Sequence, residues 1–191
     1  MAKGYRINIK NLHYAICTDD NDTTTTYGNP KPLEKVQTIK MSPKSIAGDF
    51  KGDGIIVAKT SRIETIEVEI DLTKIPLKIR AELLGNIYDK GTAEEKYNDI
   101  APYIALAFEI EKDNGESEYL WLYKGQMVVP DDDLKQMEGK IEYQNVKTKY
   151  TFIPRISDGK LRKFADSEEE DFVAETGTNW FSAVPAPVVT P

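Results

Sequence analysis

Nucleophilic catalysis needs a nucleophile and a base within hydrogen-bond reach, and this chain offers one histidine and one cysteine. His13 and Cys17 lie in Leu12-His13-Tyr14-Ala15-Ile16-Cys17, whose alternation predicts a strand. At a strand rise of about 3.3 Å they stand about 13 Å apart, pointing the same way but out of contact. A local Cys–His pair is therefore excluded. A single cysteine also excludes an internal disulfide and a thiolate metal cluster. Glu67, Glu69 and Asp71 recur on one strand face at intervals of about 7 Å and could imitate a hydrolase pair. Acidic residues are spread through the whole chain, so a solvated acidic face is the simpler reading. Asp131, Asp132 and Asp133 offer ligands to a hard cation, but contiguous residues at a strand end rarely converge on one ion. The spacing of a calcium loop with its distal glutamate is missing. Gly48-Asp49-Phe50-Lys51-Gly52-Asp53-Gly54 has the glycines of a phosphate cradle without its GK[ST] ending, and no strand-to-helix passage contains it. The expectation is a non-enzyme with no catalytic, cofactor or metal site.

The elements that position these residues are organised around residues 63–89. Ile66, Val68, Ile70 and Leu72 alternate with Glu67, Glu69 and Asp71, which predicts a half-buried strand with one acidic face. The period then changes. Pro76 suits a first helical turn, Leu77, Ala81 and Leu84 recur at helical spacing with Lys78 and Glu82 opposite, and Gly85 suits a left-handed C-cap. One short helix over 76–85 is expected to cover a mostly β core.

Around that unit, residues 1–11 form a basic arm in which Tyr5, Ile7 and Ile9 alternate, either an extra strand or a flexible arm. Residues 19–32 read as a loop and 33–41 as a strand. Residues 42–62 are glycine-rich, yet hold Ile46, Phe50, Ile55, Ile56 and Val57, which fit poorly with permanent exposure. They are expected to form a long loop or hairpin that orders against another chain. Residues 90–99 are polar, with room for one helical turn at 94–97. Residues 103–110 and 119–123 are apolar on both faces and flank Asp113-Asn114-Gly115, the clearest hairpin in the chain. Residues 140–153 are β-like, and the turn at Asp158-Gly159 is expected to pair 160–164 with them. The domain is expected to span 1–165. Beyond it lies an extended tail, 166–191, with an acidic run, a proline-rich end, and Phe172, Trp180 and Phe181 as docking residues for the parent domain or a neighbour.

Composition bounds the partners. Of 191 residues, 40% are hydrophobic, enough to bury a real core, and the net charge of −7 argues against phosphate-backbone and anionic-membrane binding. No apolar run approaches about 18 residues, so no membrane span is expected, and the N-terminus lacks the apolar core of a signal peptide. Synthesis in a cytoplasm is expected.

Several motifs follow one another as in a known family. They are Asn11-Leu12-His13-Tyr14-Ala15-Ile16-Cys17-Thr18, Tyr27-Gly28-Asn29-Pro30 and Ser42-Pro43. The strand-to-helix unit from Ile66 to Gly85 follows, then Ala101-Pro102-Tyr103, Leu120-Trp121-Leu122-Tyr123-Lys124-Gly125, Thr151-Phe152-Ile153-Pro154-Arg155 with Asp158-Gly159, and Trp180-Phe181. In order and spacing the chain resembles the major tail proteins of long-tailed phages over nearly its whole length. The resemblance implies a mainly β fold of two packed sheets, sandwich- or barrel-like, flanked by one helix. It implies a structural virion protein that forms hexameric rings stacked into a hollow tail tube, assembled in the host cytoplasm. Its implied partners are its own copies, a tape-measure protein, a tail terminator and baseplate or initiator proteins. DNA would pass through without specific binding. In that setting Glu67, Glu69 and Asp71 are candidates for an acidic lumen wall, with the outer surface as the alternative. Ile46, Phe50, Ile55, Ile56, Val57, Phe172, Trp180 and Phe181 are the candidate subunit or ring contacts. The competing class is a monomeric β-sandwich module binding carbohydrate or peptide through an exposed Tyr119, Trp121 and Tyr123 face.

Overall fold

The computed structural model describes residues 3–53, 55–137 and 139–187. Its β-rich character follows from alternating, β-branched segments that bury one face each. In chain order the strands are β1 (Arg6–Asp20), β2 (Thr25–Tyr27), β3 (Lys31–Pro32), β4 (Val36–Gly52) and β5 (Ile55–Leu72). After helix α1 (Leu77–Leu84) come β6 (Ile87–Asp89), β7 (Thr92–Glu94), β8 (Ile104–Lys112), β9 (Ser117–Val128), β10 (Val146–Ile153), β11 (Arg162–Asp166) and a one-turn helix α2 (Ala174–Thr178).

One antiparallel sheet runs β2-β1-β8-β9-β10-β5-β4, so the two layers are halves of a single hydrogen-bonded network. Strand β9 carries two partners on one edge: Glu118–Leu122 pair with β11, and Lys124–Val128 pair with β10. The sheet divides there, and β4 returns beside β1 to give a barrel-like sandwich. The interior takes Leu12 and Tyr14 from β1, Leu106 and Phe108 from β8, Val68 and Ile70 from β5, Phe152 from β10, and Leu83 and Leu84 from α1. The opposite face of β8 and β9 builds a second cluster, Ala105, Ala107, Trp121 and Tyr123, closed by Trp180. This explains why both strands are apolar on two sides: each is covered twice.

Helix α1 begins after Pro76 and ends at Gly85, whose φ of 76° is left-handed. A Cβ there would lie 2.3 Å from the Ile100 carbonyl oxygen, so conformation and space both require glycine. The buried face is Ala81, Leu83 and Leu84, and Leu77 is exposed. Glu82, expected on the solvent face, accepts a hydrogen bond from Tyr14 Oη at 2.8 Å and pairs with Lys31.

Two open alternatives are resolved and several expectations corrected. Residues 42–62, expected as a long loop or hairpin, take the hairpin form: they are the distal part of the β4–β5 hairpin, which pairs from Val36↔Leu72 to Gly52↔Ile55. The arm beyond Arg6 is the start of β1, paired along β8. Residues 90–99 hold no helical turn. Lys90 and Gly91, with φ of 44° and 89°, close the β6–β7 hairpin instead. The loop at 19–32 contains β2 and β3, and the strand expected from residue 140 begins at Val146. Strand β11 pairs with β9 rather than β10, because β5 and β9 already occupy both edges of β10. The tail adds α2 as a second helix and lies against the body.

Candidate functional site

The feature with no internal explanation is the distal half of the β4–β5 hairpin. Residues 43–51 and 55–64 are exposed throughout, on both faces of the ribbon. At about 3.3 Å per residue the arm extends roughly 30 Å from the body. Ile46, Phe50, Ile55, Ile56 and Val57, the candidate ring contacts from the sequence, all sit on it, and Phe50 is 69% exposed. Two β-bulges shape the arm. Lys44 pairs with Thr65 and Ser45 with Ile63, leaving Glu64 extra at the root; Phe50 pairs with Ala58 and Lys51 with Ile56, leaving Val57 extra near the tip. Bulges bend and twist a ribbon and so aim it.

Glu67, Glu69 and Asp71 lie on the outward face of β5, as their alternation requires. Their surface is not an acidic stripe. Lys44 stands 3.2 Å from Glu67 and Lys40 3.7 Å from Glu69 on one side, while Lys147 and Lys149 of β10 pair with Asp71 and Glu69 on the other. Four lysines thus interleave with three carboxylates in a charge-mixed face. The sequence hid this because the lysines come from strands far apart in the chain.

The tail aromatics pack on their own chain. Trp180 is 4% exposed and lies on the Trp121 cluster, and Trp121 Nε1–H donates to the Trp180 carbonyl at 2.9 Å. Phe172 stacks with Tyr119 at 6.3 Å, and Phe181 stacks on the sole histidine, His13, at 4.7 Å. The Cys17 thiol donates to the Asp19 carbonyl at 3.4 Å. Trp121 and Tyr123 are buried, so the Tyr119, Trp121 and Tyr123 strand does not present an exposed aromatic face.

Three buried cations, none singled out in the sequence as a structural anchor, hold these pieces. Arg155 pairs with Asp158, lies 3.7 Å from the centre of the Tyr123 ring, and donates to the Pro185 carbonyl at 2.9 Å. Lys112, buried at the β8 end, meets Asp166 at 2.7 Å and Glu168 at 2.5 Å. Glu168 also accepts from the Gly4 amide at 2.7 Å. The Lys112 hydrogen bond, helped by that amide, holds the Glu168 carboxyl down at about 2. Lys124 pairs with Asp20 beneath the Tyr103 ring. The only advance signal was the Arg155-to-Asp158 spacing before Gly159. Among the described residues no cluster of three or more metal-ligating side chains occurs. Compared with protein-family models and with curated proteins, the chain matches none.

Proposed function

We propose that this chain is a structural subunit that assembles with its own copies into stacked rings, forming a hollow tube like the tails of long-tailed phages. The observation that carries the reading is the β4–β5 arm. A two-stranded ribbon has no core of its own and is marginal in water. Six large apolar side chains displayed along it, Ile63 at its root among them, suit a ribbon that is buried against a partner. The sheet order also ends at β2 and β4, and pairing such edges between copies closes a ring and removes exposed edges. The hexameric ring, the tape-measure, terminator and initiator partners, and DNA passage belong to the same proposal through the family resemblance. In a tube, a lumen face of alternating lysines and carboxylates gives phosphates no net counterion-release gain. This is a different route to a non-sticking wall from the acidic stripe expected earlier.

The test is negative-stain electron microscopy over a concentration series, with light scattering on the same samples. Rings or hollow tubes are expected, and a variant with residues 46–57 replaced by a tight turn should stay monomeric with an unchanged melting temperature. A wild-type protein that remains monomeric at every concentration, with or without seed tubes, overturns the proposal. A sugar-dependent rise in its melting temperature would then favour the binding-module class.

A further inference from the structure

The turn between β8 and β9 holds a reactive step. Asn114-Gly115 is the only asparagine–glycine pair in the chain. With no Cβ on Gly115, its backbone nitrogen is unshielded and can attack the Asn114 side-chain carbonyl carbon, closing a cyclic imide and expelling ammonia. The proton on the attacking nitrogen passes to water, and the departing amide nitrogen takes one from water. Water then opens the imide at either carbonyl, which gives aspartate or its β-linked isomer, and no reagent beyond water is consumed. Asn114 and Gly115 are exposed, and a Cβ on Gly115 would meet nothing within 4 Å. The Gly115 amide donates to the Lys112 carbonyl at 3.2 Å, at the long end of the hydrogen-bond range. That bond must open before the nitrogen can turn to attack, so the turn sets the rate.

The consequence of hydrolysis lies in what the amide touches. Asn114 Nδ2 donates to Glu168, and Oδ1 accepts from the Glu116 amide at 3.1 Å. Gly4 packs against the same group: a Cβ there would stand 2.4 Å from Asn114 Oδ1. The Glu168 carboxylate also accepts from the Gly4 amide at 2.7 Å and pairs with Lys112 at 2.5 Å. One neutral amide thus sits where the N-terminal segment, the β8–β9 turn and the start of the tail meet. Hydrolysis replaces its donor with a carboxylate facing Glu168. The nearby cation, Lys112, is already shared with Asp166 at 2.7 Å and Glu118 at 3.6 Å, so the new contact is repulsive. The β-linked isomer also adds a methylene to the main chain, inside a turn closed by the Lys112 amide on the Glu116 carbonyl at 2.8 Å.

We propose that Asn114 is a modification site whose hydrolysis to aspartate or its β-linked isomer is a one-way switch, releasing residues 4–5 and 167–171 from the body. The switch does not depend on self-assembly. It is tested by ageing the full chain in mildly alkaline buffer and following it by peptide mass spectrometry and hydrogen exchange. Peptides containing Asn114 are expected to gain about 1 Da as the products accumulate. In step with them, the amides of Gly4, Ser167, Glu168 and Glu169, which are hydrogen-bonded in the starting structure, should exchange about tenfold faster. A fresh Asn114→Asp variant should show that fast exchange at once. Asn114→Ala, which loses the bond without gaining the charge, should fall between it and the wild type. Asn114→Gln, which keeps the donor and cyclises slowly, should stay slow on ageing. A folded chain that keeps its amide while the urea-unfolded chain loses it overturns the modification site, and an Asn114→Asp variant that exchanges like the wild type overturns the switch.

Discussion

Trp180 joins the tail to the body in two ways at once. Its ring fills the outer cluster on β8 and β9, and its carbonyl takes the Trp121 indole hydrogen. Truncation to alanine leaves a cavity and an exposed Trp121, so Trp180→Ala should cost about 3 kcal/mol in urea unfolding followed by tryptophan fluorescence. The anchor at Lys112 acts through charge. Glu168 is held below its ordinary value by the Lys112 hydrogen bond and the Gly4 amide, at about 2. The sign is that of a depressed carboxylate: its stabilisation is complete above the unfolded value near 4.3 and is lost as pH falls toward about 2. Thermal melts across that window should show a pH-dependent loss that Glu168→Gln removes. At this scale the sequence was half legible. Aromatics in a polar tail announced docking, but Lys112 sits in an ordinary turn sequence. Its burial arises only because β11 brings Asp166 and Glu168 beside it.

Elements with one buried face were readable, and those without one were not. Strand β5 and helix α1 each show their period, because burial on a fixed face selects apolar residues at that spacing, while the β8–β9 hairpin, covered on both faces, showed itself as two apolar runs around Asp113-Asn114-Gly115. Gly85 was readable for the same reason: a left-handed C-cap and a close carbonyl leave no other choice. Gly85→Ala should destabilise by more than about 1 kcal/mol, measured by chemical denaturation, with α1 as the region loosened in hydrogen exchange. The arm failed the pattern test because neither of its faces is buried in the monomer, so nothing within the chain enforces alternation on residues 43–64. Its glycines then leave loop and hairpin both open. The β6–β7 turn was missed because Lys90 stands at a positive φ that asparagine or glycine usually occupies.

At the scale of the whole molecule, charge is arranged by sheet rather than by segment. A net charge of −7 suggested acidic walls, yet the β4–β5–β10 face alternates sign from strand to strand. Replacing Glu67, Glu69 and Asp71 together with lysine would make that face wholly cationic. The variant is expected to retain DNA in a filter-binding assay at low salt, with affinity falling steeply as salt rises, where the wild type retains none. The bulge at Glu64 has a consequence of a different kind. It lies where the ribbon leaves the body, and it is the point at which the arm's direction departs from that of the strands beneath it. In a stack, every copy repeats that departure. If the proposed stacking holds, the screw rotation between successive rings would depend on how this one unpaired residue aims the arm. Deleting Glu64 should leave each ring closed and change the rotation per ring in a helical reconstruction.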